Sequence, residues 1–360
     1  MVRARSTEKI NLPLTSREQA WEYMSGCHRT ASMLSVGISR RQILNLAVGV
    51  AALPALPRAA RAQSYPSRPV RIIVGFPPGG ASDITARLLG QWLTERLGQQ
   101  FIIENRPGAG TNIGTEVVAK SPPDGYTLLL VSVANTVNAT LYERLNFNFI
   151  LDVAPVAALI RSPLVMEVNP SVPASSIPEF IAMAKANPGA VAAASAGHGT
   201  PAHMASELFQ LLTGIDLIDV PYRGGAPALT DLLAGQVQVM FENVSTSLEY
   251  IRAGKLRALG VTTAARSDLL PELPTVSEFV PGYEVSSWFG IGAPKHTPTN
   301  IVDLLNVTIN AGLSDPKLKA QLTDLSATVL PGTPADFGKF IADETEKWRK
   351  LIQAAGIKST

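Results

Sequence analysis

One cysteine, four histidines and 6% aromatic residues leave this 360-residue chain poor in several groups that carry chemistry. The cysteine, Cys27, falls in an N-terminal stretch that reads as removable. The mature chain then has no thiol, which excludes thiolate catalysis, Cys-ligated metal and a disulfide framework, and suits an oxidising compartment. Long apolar runs are also missing. The longest, residues 43–56, is broken by Pro54, whereas a spanning helix needs roughly 20 residues. Charge of one sign is scarce too. Residues 1–62 hold nine Lys/Arg against three Asp/Glu, and the rest of the chain holds 22 against 26, a net of −4. The main body therefore offers a nucleic-acid partner no electrostatic support. What is present is 46% hydrophobic residues, 28 glycines and 27 prolines, with mean hydropathy +0.16. That composition excludes disorder, coiled coil and collagen, and implies many short turns in a chain long enough for two domains.

The basic excess accompanies a leader. Ser39-Arg40-Arg41 precedes the apolar run, and Ala60-Arg61-Ala62 ends it, the small-x-small pattern of an export signal cleaved after Ala62. Ser39-Arg40-Arg41-Gln42-Ile43-Leu44 resembles a twin-arginine signal with Ile43 in place of the usual Phe, so twin-arginine and Sec export both stay open. Met33, six residues before Ser39, is a second candidate start.

From Val70 onward, β-branched runs alternate with amphipathic stretches, the α/β pattern. Strands are expected at 70–74, 101–104, 127–131, 164–168, 191–195, 217–220, 237–241, 257–261 and 286–292. Ser176-Ile177-Pro178-Glu179 reads as a capping box. Thr200-Pro201, Thr297-Pro298 and Thr333-Pro334 each place a Thr N-cap before a Pro at the first helical position. A last helix over 335–355 gathers Phe337, Phe340, Ile341, Trp348, Leu351 and Ile352 mostly on one stripe. Without a low-complexity linker, two lobes joined by crossing strands are expected.

Two loops stand out. Gly75-Phe76-Pro77-Pro78-Gly79-Gly80-Ala81-Ser82-Asp83 joins a strand to a helix whose apolar positions are read as Ile84, Leu88, Trp92 and Leu97. Its prolines stiffen the approach, and its glycines free amide groups at a helix N-terminus, where an anion is favoured. With no Gly-Lys-Ser/Thr following, it is not a P-loop. Ser195-Ala196-Gly197-His198-Gly199-Thr200-Pro201-Ala202-His203 repeats the layout, so the two loops are expected to face each other across a cleft. Sharper chemistries fit less well. His203 and Glu207 lie one turn apart with His198 upstream, but a further well-placed ligand is not evident, so no metal is expected. Ala193-Ala194-Ser195-Ala196-Gly197 imitates a nucleophile elbow and leaves a Ser-based hydrolase as a rival; His296 would have to be its base. Gly108-Ala109-Gly110-Thr111-Asn112-Ile113-Gly114 misplaces the third glycine of a dinucleotide fingerprint and reads as a packing turn, so no cofactor is expected.

Taken together, 71–83, Glu104-Asn105-Arg106-Pro107-Gly108-Ala109-Gly110, Pro122-Pro123-Asp124-Gly125-Tyr126-Thr127-Leu128, 197–203, Val220-Pro221-Tyr222-Arg223-Gly224-Gly225, Ala253-Gly254-Lys255-Leu256-Arg257-Ala258-Leu259, Leu273-Pro274-Thr275-Val276 and Ser287-Trp288-Phe289-Gly290 resemble the Bug family. Its members are solute receptors of tripartite tricarboxylate transporters. The likeness runs over about 65–357, with the motifs in order.

The resemblance implies a type II periplasmic binding protein fold: α/β, with two α/β lobes joined by a hinge and a ligand cleft between them. Residues 63–165 plus 286–360 would form one lobe and 166–285 the other, after the 1–62 extension is lost. It implies a non-enzymatic periplasmic receptor, a monomer, that delivers a small organic carboxylate to one large and one small membrane subunit. A receptor presenting its ligand to a sensor kinase is the alternative on the same fold. Carried onto this chain, the family's pincers select Phe76, Pro78, Gly79, Gly80, Ser82 and Asp83 on one side, with Ser195, Gly199, Thr200 and His203 on the other. Ser132, Asn135 and Tyr222 are additions. Gln238 stands where many members carry an acidic residue, and Glu242-Asn243 are not assigned to the pocket.

Overall fold

A computed structural model of the chain describes residues 65–358. The export leader, its cleavage site and Cys27 lie outside the described residues.

The described chain runs β1 (Val70–Val74), α1 (Ala81–Leu97), β2 (Phe101–Asn105), a 3-10 turn (Ala109–Thr111), α2 (Asn112–Ala119), β3 (Thr127–Ser132), α3 (Val133–Leu141), α4 (Phe149–Asp152) and β4 (Val153–Val168). It continues through α5 (Ile177–Ala186), β5 (Val191–Ser195), α6 (Pro201–Thr213), β6 (Leu217–Pro221), α7 (Gly225–Leu233), β7 (Val239–Asn243), α8 (Val244–Arg252) and β8 (Arg257–Val261). A second 3-10 turn (Val276–Glu278), β9 (Ser286–Pro294), α9 (Thr299–Ser314), α10 (Pro316–Thr323), β10 (Thr328–Val329) and α11 (Pro334–Ala355) complete it.

The strands form one sheet in the order β2-β1-β3-β9-β4-β7-β5-β6, with β8 and β10 also on β4. Its two parts are built alike. In one, β2-β1-β3 are parallel and β9 is antiparallel to β3. In the other, β6-β5-β7 are parallel and β4 is antiparallel to β7. β4 belongs to both: residues up to Pro163 pair with β9, and Leu164 to Val168 pair with β7. Each part thus reverses its strand order, between β1 and β3 and between β5 and β7. Such switch points open a crevice at the strands' carboxyl ends, where open α/β sheets bind ligands.

Several expectations need adjusting. β4 is 16 residues long rather than the five expected at 164–168. The face of α1 is also different: Ala86, Leu89, Trp92 and Leu93 are buried, whereas Ile84 is exposed. The inward stripe is narrow and small because Gly90 packs against β2, where an added Cβ would meet the Phe101 carbonyl at 3.1 Å. α9 begins at Thr299, and Thr297 does not cap it; the Thr297 hydroxyl donates back to the Pro294 carbonyl at 2.7 Å. Thr200 and Thr333 do cap their helices. α11 buries Phe337, Ile341, Trp348, Leu351 and Ile352. Gly108 precedes the first 3-10 turn, Gly110 lies within it and Gly114 lies in α2, where an added Cβ would meet the Arg106 carbonyl at 3.2 Å, as a packing turn requires.

Candidate functional site: a pocket of helix N-termini

The loop after β1 is held from behind. Buried Asp83 accepts from the Gly79 amide at 3.0 Å, from Arg87 Nε at 2.9 Å and from Asn105 Nδ2 at 3.0 Å. Burial alone would raise its pKa, but these partners outweigh burial and hold it below the ordinary carboxylate range. Gly79 bends the chain at φ 90°, a left-handed conformation that suits glycine. The turn delivers Gly80 to the N-cap of α1.

The same event recurs around one cavity of about 110 Å³. Gly80 of α1, Ser132 of α3, Thr200 of α6, Gly224 of α7 and Asn243 of α8 are all N-caps, and all five line it. The loops after β1, β3, β5 and β7 reach it from both sides of the two switch points, and the loop after β6 brings Gly224. Each helix N-terminus has first-turn amides without intrahelical partners and a partial positive charge of roughly half a unit. Among the described lining residues there is no Lys, Arg or His. Any positive field in the pocket thus comes from backbone dipoles, with Ser82, Thr246 and Ser287 adding hydroxyls and Phe76, Leu164 and Phe289 adding apolar walls.

One acid faces this field. Glu242 lines the cavity and is buried. Burial raises its pKa, and the Asn243 amide and side chain, donating to Oε1 at 2.7 and 2.9 Å, only partly oppose that. Further inside, Glu167 is pushed up to about 8 by burial against a Ser247 hydrogen bond, with the Glu242 carboxyl adding to the rise. Its Oε2 has no hydrogen-bond partner among the described residues.

Of the residues selected from sequence, Phe76, Pro78, Gly79, Gly80, Ser82, Ser132 and Thr200 meet at the cavity. Asp83, Asn135, Ser195, Gly199, His203 and Tyr222 are not among its lining residues. Asn135 accepts from the Ser132 amide at 2.8 Å and donates to Thr115. His203 Nδ1 accepts from the Gly199 amide at 3.3 Å; burial lowers its pKa, Asp219 opposes that and His198 adds to it. The Tyr222 hydroxyl donates to Asp231 at 2.7 Å and, with burial, is pushed up to about 12. The Ser195 hydroxyl donates to Asp219 at 3.3 Å rather than to an imidazole, so the nucleophile–base pair of a hydrolase is not assembled there. Gly224, Gly225, Glu242, Asn243, Thr246 and Ser287 line the pocket without having been selected. Gly224 is the N-cap of α7 as Gly80 is of α1, each within a Gly-Gly pair, a signal that was there to be read.

Comparison with known proteins bears on the family and the fold. Residues 85–357 match the family described as "Tripartite tricarboxylate transporter family receptor". Protein BugT of Bordetella pertussis is 41% identical over 300 residues, covering 82% of this chain and 92% of BugT. The solved structure of periplasmic binding protein BugD superposes with TM-score 0.78 at 33% identity, covering 82% of this chain and 100% of BugD. The chain belongs to the Bug family of tripartite tricarboxylate transporter receptors. The receptor therefore has the two-lobe α/β binding-protein fold and serves solute capture for tricarboxylate-type transport. R. palustris Rpa4515, solved with adipate, is similar at TM-score 0.79 and 37% identity, over 82% of the receptor and 99% of that chain. BugD is a periplasmic binding protein, and no helix among the described residues of this chain is long and apolar enough to cross a membrane.

Proposed function

We propose that the receptor captures a small organic carboxylate in the cavity ringed by Gly80, Ser132, Thr200, Gly224 and Asn243 and, without catalysing a reaction, passes it to one large and one small membrane subunit. The convergence of five helix N-termini on a pocket without a side-chain cation carries this reading. A carboxylate there gains amide donors and favourable dipoles, while no bound lysine or arginine holds it so firmly that release is slow. Residues 75–83 and 195–203 act as the two arms, with Asp83, Asn135, Ser195, Gly199, His203 and Tyr222 positioning them from behind. The lobes are 63–165 with 286–360, and 166–285, and they close as a hinge because each arm alone pairs only some of the carboxylate oxygens. The receptor works as a monomer in the periplasm after export through the signal at 39–62, with the Sec and twin-arginine routes both open.

A thermal-shift screen of about a hundred carboxylates, adipate included, tests the reading. A true ligand at 100 times its dissociation constant stabilises the fold by roughly 2.7 kcal/mol. Stabilisation by amines or neutral sugars with none from carboxylates would overturn it.

A further inference from the structure

Positioning the second loop does not account for two histidines gathered beside acids. His198 lies in the loop after β5, His203 in the first turn of α6 with Glu207 one turn on, and Asp219 in the middle of β6. In sequence these residues lack a common frame. The parallel pairing of β5 with β6, which sets Ala193 beside Asp219, brings them together.

Ligand atoms of His198, His203 and Asp219 all lie within 4.8 Å of one another. Asp219 Oδ2 is 3.5 Å from His198 Nδ1 and 3.7 Å from His203 Nε2, and His203 Nε2 is 3.8 Å from Glu207 Oε1. An N–H···O hydrogen bond prefers about 2.7–3.2 Å, so these separations are long for direct pairing. They are close to the ligand–ligand edge of a tetrahedral site, roughly 3.3 Å for bonds of about 2.0 Å. Two imidazoles and two carboxylates form a donor set that suits zinc and its neighbours. The second shell is also present. The Ser195 hydroxyl donates to Asp219 Oδ1 and so turns Oδ2 toward both rings. Access is graded: the His203 side chain is 4% exposed, while those of His198 and Asp219 are 24% and 21% exposed, so an ion can enter past His198.

We propose that His198, His203 and Asp219, with Glu207 as a fourth donor, form a divalent transition-metal site of the zinc class beside the solute pocket. One local change accompanies loading. The Gly199 amide donates to His203 Nδ1 at 3.3 Å, which puts the proton of the neutral ring on Nε2. A metal on Nε2 moves that proton to Nδ1, and the Gly199 peptide turns away.

The test uses the full exported receptor without an affinity tag, cleared of metal by a chelator and titrated with Co²⁺ and then Zn²⁺. One equivalent of Co²⁺ is expected to give the strong visible bands of a low-coordinate nitrogen–oxygen site, and Zn²⁺ to bleach them. His198→Gln and Asp219→Asn should each weaken Co²⁺ binding at least tenfold, with circular dichroism unchanged. His198 is partly exposed, so that variant keeps the test decisive if a change at buried His203 disturbs folding. Absence of the visible bands, or wild-type affinity in both variants, would overturn the site. Carboxylate binding by the metal-free receptor is read separately, so failure here leaves the solute pocket standing.

Discussion

Glu242 and Gly225 meet at the pocket wall: a Cβ on Gly225 would lie 2.5 Å from Glu242 Oε2. Gly225 is the first residue of α7, and Glu242 is the penultimate residue of β7, just before Asn243, the N-cap of α8. The carboxyl is held from its other oxygen by Asn243, so it cannot swing aside cheaply.

Gly225→Ala is therefore expected to displace the acid into the pocket. Overpacking of this kind costs about 1–3 kcal/mol, and carboxylate affinity should drop roughly tenfold, or about 1.4 kcal/mol. In a Glu242→Ala background the same alanine meets no carboxylate and should cost little. Calorimetric titration and urea melts of the single and double variants give the coupling directly; equal costs in both backgrounds would separate the two residues.

Glu167 supplies a pH prediction. Its folded pKa is raised to about 8, above that of an unfolded glutamate near 4.3. The folded state binds the extra proton, so this contribution is fully present below about pH 4.3 and is lost as pH rises toward 8. Wild-type stability should decline by a few kcal/mol across that interval. Glu167→Gln, which carries no charge, should be flatter there. Urea melts between pH 5 and 8.5 decide it: parallel curves for the two proteins would place the ionisation elsewhere.

Sequence reasoning worked where a local rule decides structure and faltered where distance in the chain does. Thr200 and Thr333 were readable as caps because each bonds an amide three residues on. Gly79-Gly80 was readable as a ligand loop because two glycines after two prolines leave few other uses. The first half of β4 was hidden by Pro155 and Pro163, which argue against a strand interior. The strand tolerates Pro155 beside a register shift that follows it, and Pro163 where its pairing passes from β9 to β7. Asp219 was unreadable as a partner of His203, since only the β5–β6 register unites them. Glu242 and Asn243 were left unassigned because Gln238 departs from the acidic residue many members carry, whereas the fold sets both at the pocket wall, with burial raising the Glu242 pKa.

Asp83 ties the first loop to its helix through Gly79, Arg87 and Asn105. Because these partners depress its pKa, their contribution is present above the ordinary carboxylate range and is lost as pH falls through the lowered value. Asp83→Ala should cost roughly 2–3 kcal/mol, as loss of a buried acceptor serving several donors does. It should also weaken carboxylate binding, since the Gly79 turn is no longer held. Retained affinity in the folded variant would show that the loop keeps its shape without this anchor.

Gly80 and Thr200 separate ligand contact from loop architecture. Gly80 has φ −86°, and an added Cβ would meet nothing within 4 Å, although the residue lines the cavity. Gly80→Val therefore strains no backbone and places its methyl groups in space the solute needs. Stability should stay within about 0.5 kcal/mol of wild type, and affinity should fall roughly tenfold or more. Thr200 is the reverse case. Its hydroxyl is already engaged, donating to the Gly197 carbonyl at 2.7 Å and accepting from the His203 amide at 3.4 Å. Thr200→Val keeps the volume and loses both bonds, so stability should fall by about 1 kcal/mol or more, with affinity falling because the N-terminus of α6 is no longer fixed. Calorimetric titration paired with urea melts resolves the two patterns. Wild-type affinity in folded Gly80→Val would remove the first loop from the binding site, whatever Thr200 does.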